Sequence, residues 1–143
     1  MPRPPENYAS LLRARRGYLG INGAEGATEV LPVCFTWAGD TIWIVVDRRP
    51  GSPFLGRRRG VEGGPRVTFM VDRWDEDWYR LQWLVAKGQV TVLEPGDEED
   101  GALSALESKY PQYLEHPIQE GSIVRLDVEE WTGWDALYDD DLA

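Results

Sequence analysis

The fold prediction starts from VTFMVDRWDEDWYRLQWLVAKGQVTVL, residues Val67–Leu93. Apolar residues occupy every second position from Val67 to Val71, which is the two-residue period of a β-strand. A polar connection, Asp72–Asp77, then leads into a second apolar run that continues to Leu93. Gly88 interrupts this run and predicts a β-bulge, a device that lets a curved sheet turn a corner.

The sequence on either side of this stretch predicts further short strands and few helices. Strands are predicted at Tyr18–Asn22, Thr28–Trp37, Thr41–Val46 and Ser122–Trp131. Helices are predicted at Glu6–Arg16, with Gly17 as the stop, at Pro53–Arg59 and at Glu98–Tyr110. About six strands with short turns favour a small barrel, because open sheet edges must be closed or covered.

Composition and charge narrow the class of protein. The 143 residues predict one domain over residues 1–143, with residues 138–143 as a flexible acidic tail. A formal net charge of −10 argues against nucleic acid as the main partner. No apolar run approaches the length of a membrane span, and the single cysteine cannot form an internal disulfide. These features predict a soluble, cytoplasmic protein.

Four segments carry a resemblance to a known family. They are Val71–Leu93 and, in matching order along the chain, Leu31–Phe35, Lys109–Tyr113 and Gly133–Trp134. Together they resemble the pyridoxamine 5'-phosphate oxidase-like family of split β-barrels. They are most similar to its branch of probable deazaflavin (coenzyme F420)-dependent oxidoreductases.

The resemblance implies a mainly β fold, a six-stranded antiparallel split β-barrel with a few short helices. It also implies a homodimer that binds F420 or FMN in grooves at the dimer interface. Such a protein would transfer a hydride to or from a small organic substrate, with the redox chemistry supplied by the cofactor. The alternative is a non-catalytic barrel that holds flavin, haem or another small ligand.

The central part of the sequence contains a candidate phosphate site. Eight arginines and five acidic residues lie between Arg48 and Arg80, within a chain that is acidic as a whole. Ser52 and Pro53 can start a helix, and the unpaired amides of a helix start bind phosphate. Basic residues in this segment hold the cofactor phosphate in the family that the chain resembles. The predicted phosphate-binding residues are Arg48, Arg49, Ser52, Arg57 and Arg58; alternatively, these arginines pair with acidic residues at the surface.

The resemblance also predicts where a flat cofactor ring would lie. It places the ring and its tail against Pro32, Val33 and Cys34 of one strand and against Val46 and Asp47 of another. Proline at a sheet edge leaves backbone groups free for a ligand. The alternative is an ordinary core strand with a proline at its edge.

Three tryptophans near the middle of the chain are also candidates. The family places the segment around Trp78 near the cofactor, often from the neighbouring subunit, so Trp78 is predicted to cover the ring. Its alternative is packing in the core or at an interface. Trp74 and Trp83 are predicted to serve packing alone.

The remaining reactive side chains give only weak indications of a catalytic or metal site. Cys34 has no basic partner nearby in sequence, and is expected to be a structural thiol rather than a nucleophile. His116 is the chain's only histidine, so no structural zinc site is predicted. The acidic run Asp75–Asp77 is expected to be a solvated turn rather than a metal site.

Overall fold

The computed structural model describes residues 4–22, 27–46 and 65–139. Within these residues seven strands form one sheet: β1 (Gly17–Asn22), β2 (Thr28–Val33), β3 (Phe35–Ala38), β4 (Thr41–Val45), β5 (Arg66–Arg73), β6 (Gln82–Val92) and β7 (Ile123–Asp135). The α-helix, α1, spans Asp97–Lys109. Short 3₁₀-helices span Glu6–Arg13, Trp78–Arg80, Pro111–Leu114 and Ala136–Tyr138.

The order of strands explains how the sheet curls. Neighbours run β2-β1-β5-β6-β7-β4-β3, and each pair is antiparallel. The two edge strands, β2 and β3, are consecutive in the chain, with only Cys34 between them. The sheet therefore curls until its edges meet at Cys34, and we call this place the seam. The predicted mainly β, antiparallel split barrel is confirmed.

The described residues form seven strands rather than the predicted six, because the predicted strand Thr28–Trp37 divides at Cys34. Its first part pairs with β1, as Pro32 does with Tyr18. Its second part pairs with β4, as Phe35 does with Ile44. One straight strand cannot pair at both edges of a sheet, so the chain changes direction at the seam.

The predicted bulge at Gly88 is confirmed. The β6–β7 register shifts between Lys87 and Gly88, which leaves Glu129 of β7 as the extra residue. A Cβ atom on residue 88 would collide with the backbone carbonyl oxygen of Asp127. Glycine therefore allows the two backbones to approach closely where the sheet bends.

The core fills the inside of the curled sheet and extends beneath α1. Phe35 and Phe69 are completely buried and meet edge to face, with ring centroids 4.9 Å apart. A smaller buried cluster joins α1 to the sheet through Leu106, Tyr110 and Ile123. Each fully buried apolar side chain contributes about 1.5–3 kcal/mol, so α1 is anchored firmly beside the seam.

The ends of the chain differ from the prediction. The first helix is a 3₁₀-helix that ends at Arg13, and Gly17 begins β1 instead of stopping the helix. A side chain on residue 17 would collide with the ring of Phe69, so close packing explains this glycine. β7 continues past the predicted end at Trp131 to Asp135.

Two predicted segments lie wholly or partly outside the described residues. The helix Pro53–Arg59 is one of them. In the acidic tail, Asp139 accepts a hydrogen bond of 2.6 Å from the indole of Trp134, while residues 140–143 lie outside the description. In the described part of the chain, no helix has the length and apolar character to cross a membrane.

Candidate functional site

A pocket of about 530 Å³ lies beside the seam. Its volume is in the range of small-molecule sites, which are mostly apolar with a few polar groups. The lining residues are Leu31, Pro32, Val33, Val45, Val46, Tyr113, Pro117, Ile118, Gln119 and Ser122. We call this cavity the seam pocket.

One wall of the seam pocket comes from the ends of β2 and β4. Pro32 and Val33 lie on the edge strand β2, and proline removes one backbone donor from that edge. Val46 follows β4 and donates its backbone N–H to the carbonyl of Ser122, 2.7 Å away. Three predicted ring-binding residues, Pro32, Val33 and Val46, are thus brought together in one cavity.

The rest of the lining comes from the segment after α1. Tyr113 lies in the 3₁₀-helix after α1, and its backbone N–H donates to the Tyr110 carbonyl at 3.0 Å. The two tyrosine rings meet edge to face at 5.8 Å. Burial raises the pKa of Tyr113 above its ordinary value, and hydrogen bonding with the Cys34 side chain raises it further. Tyr113 therefore presents a neutral phenol on the pocket wall.

Cys34 lies at the seam but is not among the lining residues. Its backbone carbonyl accepts a hydrogen bond of 3.0 Å from Val45, which joins the turn of the chain to β4. Its side chain interacts electrostatically with Lys109, Tyr110 and Tyr113. The sequence showed no basic partner for this thiol, whereas the fold supplies Lys109.

A polar network closes the open edge of β3 at Phe35. The Lys109 ammonium donates to the Phe35 carbonyl at 2.9 Å and lies 3.6 Å from the centroid of the Phe35 ring. The Tyr110 hydroxyl accepts from the Phe35 N–H at 3.3 Å and donates to the Arg15 carbonyl at 2.9 Å. These side chains replace the neighbouring strand that an edge lacks.

Burial has a clear effect on the ionisable groups of this network. It lowers the pKa of Lys109 to about 8, and the nearby Arg15 lowers it as well, while Cys34 acts in the opposite direction. Burial also raises the pKa of Tyr110. Lys109 is consequently a half-buried cation.

Sequence reasoning missed Lys109, Tyr110 and Tyr113 as site residues. They lie some 75 positions from the strand that they contact, so no local spacing connects them to it. A signal was available, because Lys109–Tyr113 is one of the segments that carry the family resemblance. That resemblance could have identified the lysine and the two tyrosines of this segment as candidate site residues.

The whole of the predicted phosphate site lies outside the described residues. This applies to Arg48, Arg49, Ser52, Arg57 and Arg58, and also to Asp47 of the predicted ring site. The phosphate site remains a prediction.

The three candidate tryptophans have different surroundings. Trp78 does not line the seam pocket, and 61% of it is exposed. Trp74 is equally exposed, and its indole donates to Glu76 at 3.0 Å, so it does not pack in the core of this chain. Trp83 stacks on Trp134 across β6 and β7, with ring centroids 6.5 Å apart, which agrees with its predicted packing role.

The acidic run between β5 and β6 forms a capped turn. Asp75 accepts from the backbone of Asp77 at 2.8 Å, and Asp77 accepts from the backbone of Tyr79 at 3.2 Å. These bonds agree with the expected turn. In the described ranges, no group of three or more His, Cys, Asp or Glu side chains is placed to hold a metal ion.

Known proteins share both sequence features and architecture with this chain. The family model described as pyridoxamine 5'-phosphate oxidase matches residues 5–134. No curated protein shows significant similarity to the chain.

Three solved structures illustrate the shared fold. A candidate 5-nitroimidazole antibiotic resistance protein from Bacteroides thetaiotaomicron is 18% identical, with a TM-score of 0.69 over 90% of this chain and 81% of that one. An FAD-binding protein from Mesorhizobium loti is 20% identical, with a TM-score of 0.63 over 90% and 89%. A haem storage protein from Vibrio cholerae is 11% identical, with a TM-score of 0.66 over 94% and 95%. At these identities the similarity demonstrates the fold alone.

Proposed function

The chain belongs to the pyridoxamine 5'-phosphate oxidase family, and from that premise we propose that it is a redox protein that binds F420 or FMN in the seam pocket. In this proposal it transfers a hydride to or from a small organic substrate. The observation that carries the proposal is the lining of the pocket. Aliphatic residues of β2 and β4 line it together with Tyr113, a combination suited to a flat ring with a polar edge.

The lining residues fit the ring of such a cofactor. None of them carries a charge, and the polar side chains are those of Tyr113, Gln119 and Ser122. A flavin-type ring has apolar faces and a polar edge, so a dry wall with a few hydrogen-bonding groups can orient it. A phosphate would find no cation among these residues.

The cofactor phosphate therefore needs residues beyond the lining of the pocket. Arg48 and Arg49 follow Val46 almost directly in sequence, and Val46 lines the pocket. We propose that they hold the phosphate together with Ser52, Arg57 and Arg58, because arginine forms paired hydrogen bonds with phosphate oxygens.

The cofactor and the protein would have different roles in the reaction. The bound cofactor would supply the two-electron hydride chemistry, and the substrate would gain or lose the same hydride. The chain would orient the ring between Val33 and Tyr113 and exclude water with Leu31, Val45 and Ile118.

We also propose that the protein acts as a homodimer, with Trp78 of a second copy covering the pocket. The support is an exposed apolar surface formed by the 3₁₀-helices Trp78–Arg80 and Ala136–Tyr138, which contact each other. Its exposed large side chains are Trp78, Tyr79, Leu137 and Tyr138. Clusters of this kind mark interaction surfaces. Analytical ultracentrifugation of the wild type and Trp78→Ala would measure the predicted dimer and its weakening.

Titration with FMN and with F420, followed by ligand fluorescence, tests the main proposal. Wild-type protein should bind at least one of them. The double variant Arg57→Ala/Arg58→Ala should bind it at least about 100-fold more weakly, because it loses two charge-assisted bonds of about 1.5–3 kcal/mol each. Arg66→Ala is the matched control, since Arg66 pairs with Glu129 at the surface. Absence of binding by the wild type would overturn the proposal.

Catalysis needs its own measurement. Wild-type protein with reduced F420 or reduced FMN should oxidise the cofactor when a panel of small apolar acceptors is added. The change in cofactor absorbance reports the hydride transfer. Cofactor binding without turnover of any acceptor would contradict the catalytic role and favour the alternative, a non-catalytic ligand-binding barrel.

Haem binding is the second candidate, and His116 favours it. This exposed histidine precedes Pro117 of the pocket wall, and histidine is a common axial ligand of haem iron. A haem storage protein shares the fold. Titration with haemin should then give a Soret band that shifts in His116→Ala. An unchanged spectrum in the variant would remove His116 from that role.

A further inference from the structure

Tyr113 belongs both to the wall of the seam pocket and to the polar network behind it. It lines the pocket, while Cys34 and Tyr110, its neighbours in the network, do not. A side chain in this position can transmit the binding of a ligand in the pocket to the network. It can also offer that ligand a polar group.

The orientation of Tyr113 is set before any ligand arrives. Its backbone is fixed to Tyr110 by a hydrogen bond of 3.0 Å, and its ring packs against the Tyr110 ring at an angle of 72°. Tyr110 is itself buried and bonded to Phe35 and Arg15. A side chain held by such a rigid support loses little entropy when it binds a ligand.

The hydroxyl groups of the two tyrosines differ in how well they are satisfied. The Tyr110 hydroxyl has strong backbone partners in Phe35 and Arg15. The Tyr113 hydroxyl instead interacts with the thiol of Cys34 and, electrostatically, with Tyr110. Sulfur is a weak hydrogen-bond partner, so this hydroxyl gains by exchanging the thiol for an oxygen acceptor.

We propose that Tyr113 determines which ligands the seam pocket accepts, by donating its hydroxyl proton to a carbonyl oxygen on the edge of a planar ring. On binding, the hydroxyl leaves the Cys34 thiol and bonds to that carbonyl. The inference rests on the proposed function, because it names the polar contact of the same pocket. It selects carbonyl-bearing heteroaromatic rings over purely apolar ones.

The neutral state of the phenol supports this role. Burial and the neighbouring Cys34 raise the pKa of Tyr113, so the proton stays on the hydroxyl throughout the physiological range. A donor that never ionises holds a carbonyl acceptor equally well at every working pH.

Two substitutions separate this role from a structural one because they change ligand affinity differently. Tyr113→Phe removes the donor and should weaken FMN binding about tenfold, the effect of about one net hydrogen bond. Cys34→Ala removes the competing thiol and should leave FMN affinity unchanged or improve it. A purely structural contact between the two residues would make both variants weaker. Thermal unfolding of each variant without ligand provides the control for folding.

The single thiol gives a second readout that does not depend on activity. With one cysteine in the chain, the infrared S–H stretching band belongs to Cys34 alone. FMN should shift this band in the wild type, because the Tyr113 hydroxyl leaves the sulfur. Saturating FMN should produce no shift in Tyr113→Phe.

The outcomes distinguish this inference from the proposed function. Failure of the wild type to bind either FMN or F420 would overturn the proposed function and the inference with it. Equal FMN affinity in the wild type and Tyr113→Phe would overturn the role of Tyr113 and leave the flavin site in place. If Tyr113→Phe does not fold, a wild-type S–H band that FMN leaves unchanged overturns the inference by itself.

Discussion

The barrel wall and the seam are held together by different kinds of interaction. In the wall, β6 and β7 pair over eleven residue pairs, and the one irregularity is the bulge at Gly88. At the seam, β2 and β3 each have one neighbour among the described strands. There, side chains of Lys109 and Tyr110 bond to the backbone of Phe35 in place of a strand.

The difference shows why the candidate site lies where it does. In a fully paired wall the backbone N–H and C=O groups are already hydrogen-bonded within the sheet, and the inner face is filled by the core. At an interrupted edge, backbone donors and acceptors remain that must be hydrogen-bonded by groups outside the sheet. The protein uses a lysine and a tyrosine for some of them, and the seam pocket lies next to that arrangement.

The largest expected effect is a disruption of the wall. Gly88→Ala should lower the free energy of unfolding by about 3 kcal/mol, the upper part of the range for overpacking, because the new Cβ collides with the carbonyl oxygen of Asp127. Urea denaturation measures the change. Gly20→Ala is the control, since its Cβ would lie 3.7 Å from the nearest atom, an ordinary contact. Equal losses in both variants would show that the bulge does not require glycine.

A smaller loss is expected at the seam. Tyr110→Phe deletes the hydroxyl that bonds to Phe35 and Arg15, and leaving the buried Phe35 N–H unpaired costs about 2 kcal/mol. Tyr79→Phe, on an exposed tyrosine, should change stability by less than about 0.5 kcal/mol. Urea denaturation of both variants makes the comparison. Matching midpoints would mean that water or neighbouring groups replace the Tyr110 hydroxyl.

The smallest effect is a dependence of stability on pH. The pKa of Lys109 falls from 10.5 to about 8 on folding, so between these values the unfolded chain binds more protons than the folded one. The contribution of this group to the free energy of unfolding should therefore rise from pH 8 to pH 10.5, and be lost as pH falls through 8. Partial exposure of the amine keeps the effect below that of Tyr110→Phe.

Two lysine variants test this dependence. Urea denaturation, repeated at half-unit steps across this pH window, should show the rise in stability in the wild type and not in Lys109→Met. Lys87→Met is the matched control, since Lys87 is the only other lysine and is exposed on β6. Parallel curves for the wild type and Lys109→Met would contradict the assigned burial.

Local sequence patterns predicted the wall correctly. The alternation from Val67 to Val71 and the glycine at position 88 act on neighbouring residues, and both are present as expected in β5 and in the bulge. The division of Thr28–Trp37 was not predicted. Every residue in that segment suits a strand, and the change of partner at Cys34 depends on where β1 and β4 lie.

The candidate site was predicted in part for the same reason. Pro32, Val33 and Val46 lie at strand ends and line the seam pocket, where the resemblance placed the ring. Tyr113 reaches the pocket from a helix end far along the chain, and its neighbour Lys109 reaches Phe35. Contacts of this range carry no periodic signal in the sequence.

The sequence by itself determined a mainly β chain, its strand periods, the position of the bulge and an acidic net charge, because each of these depends on residues close together along the chain. Only the tertiary structure decided that the sheet closes at Cys34 and that Lys109, Tyr110 and Tyr113 gather there. The physical reason is the open edge. Its unpaired backbone groups exist only after the strands have assembled, and polar side chains from the end of α1 then bond to them beside the pocket.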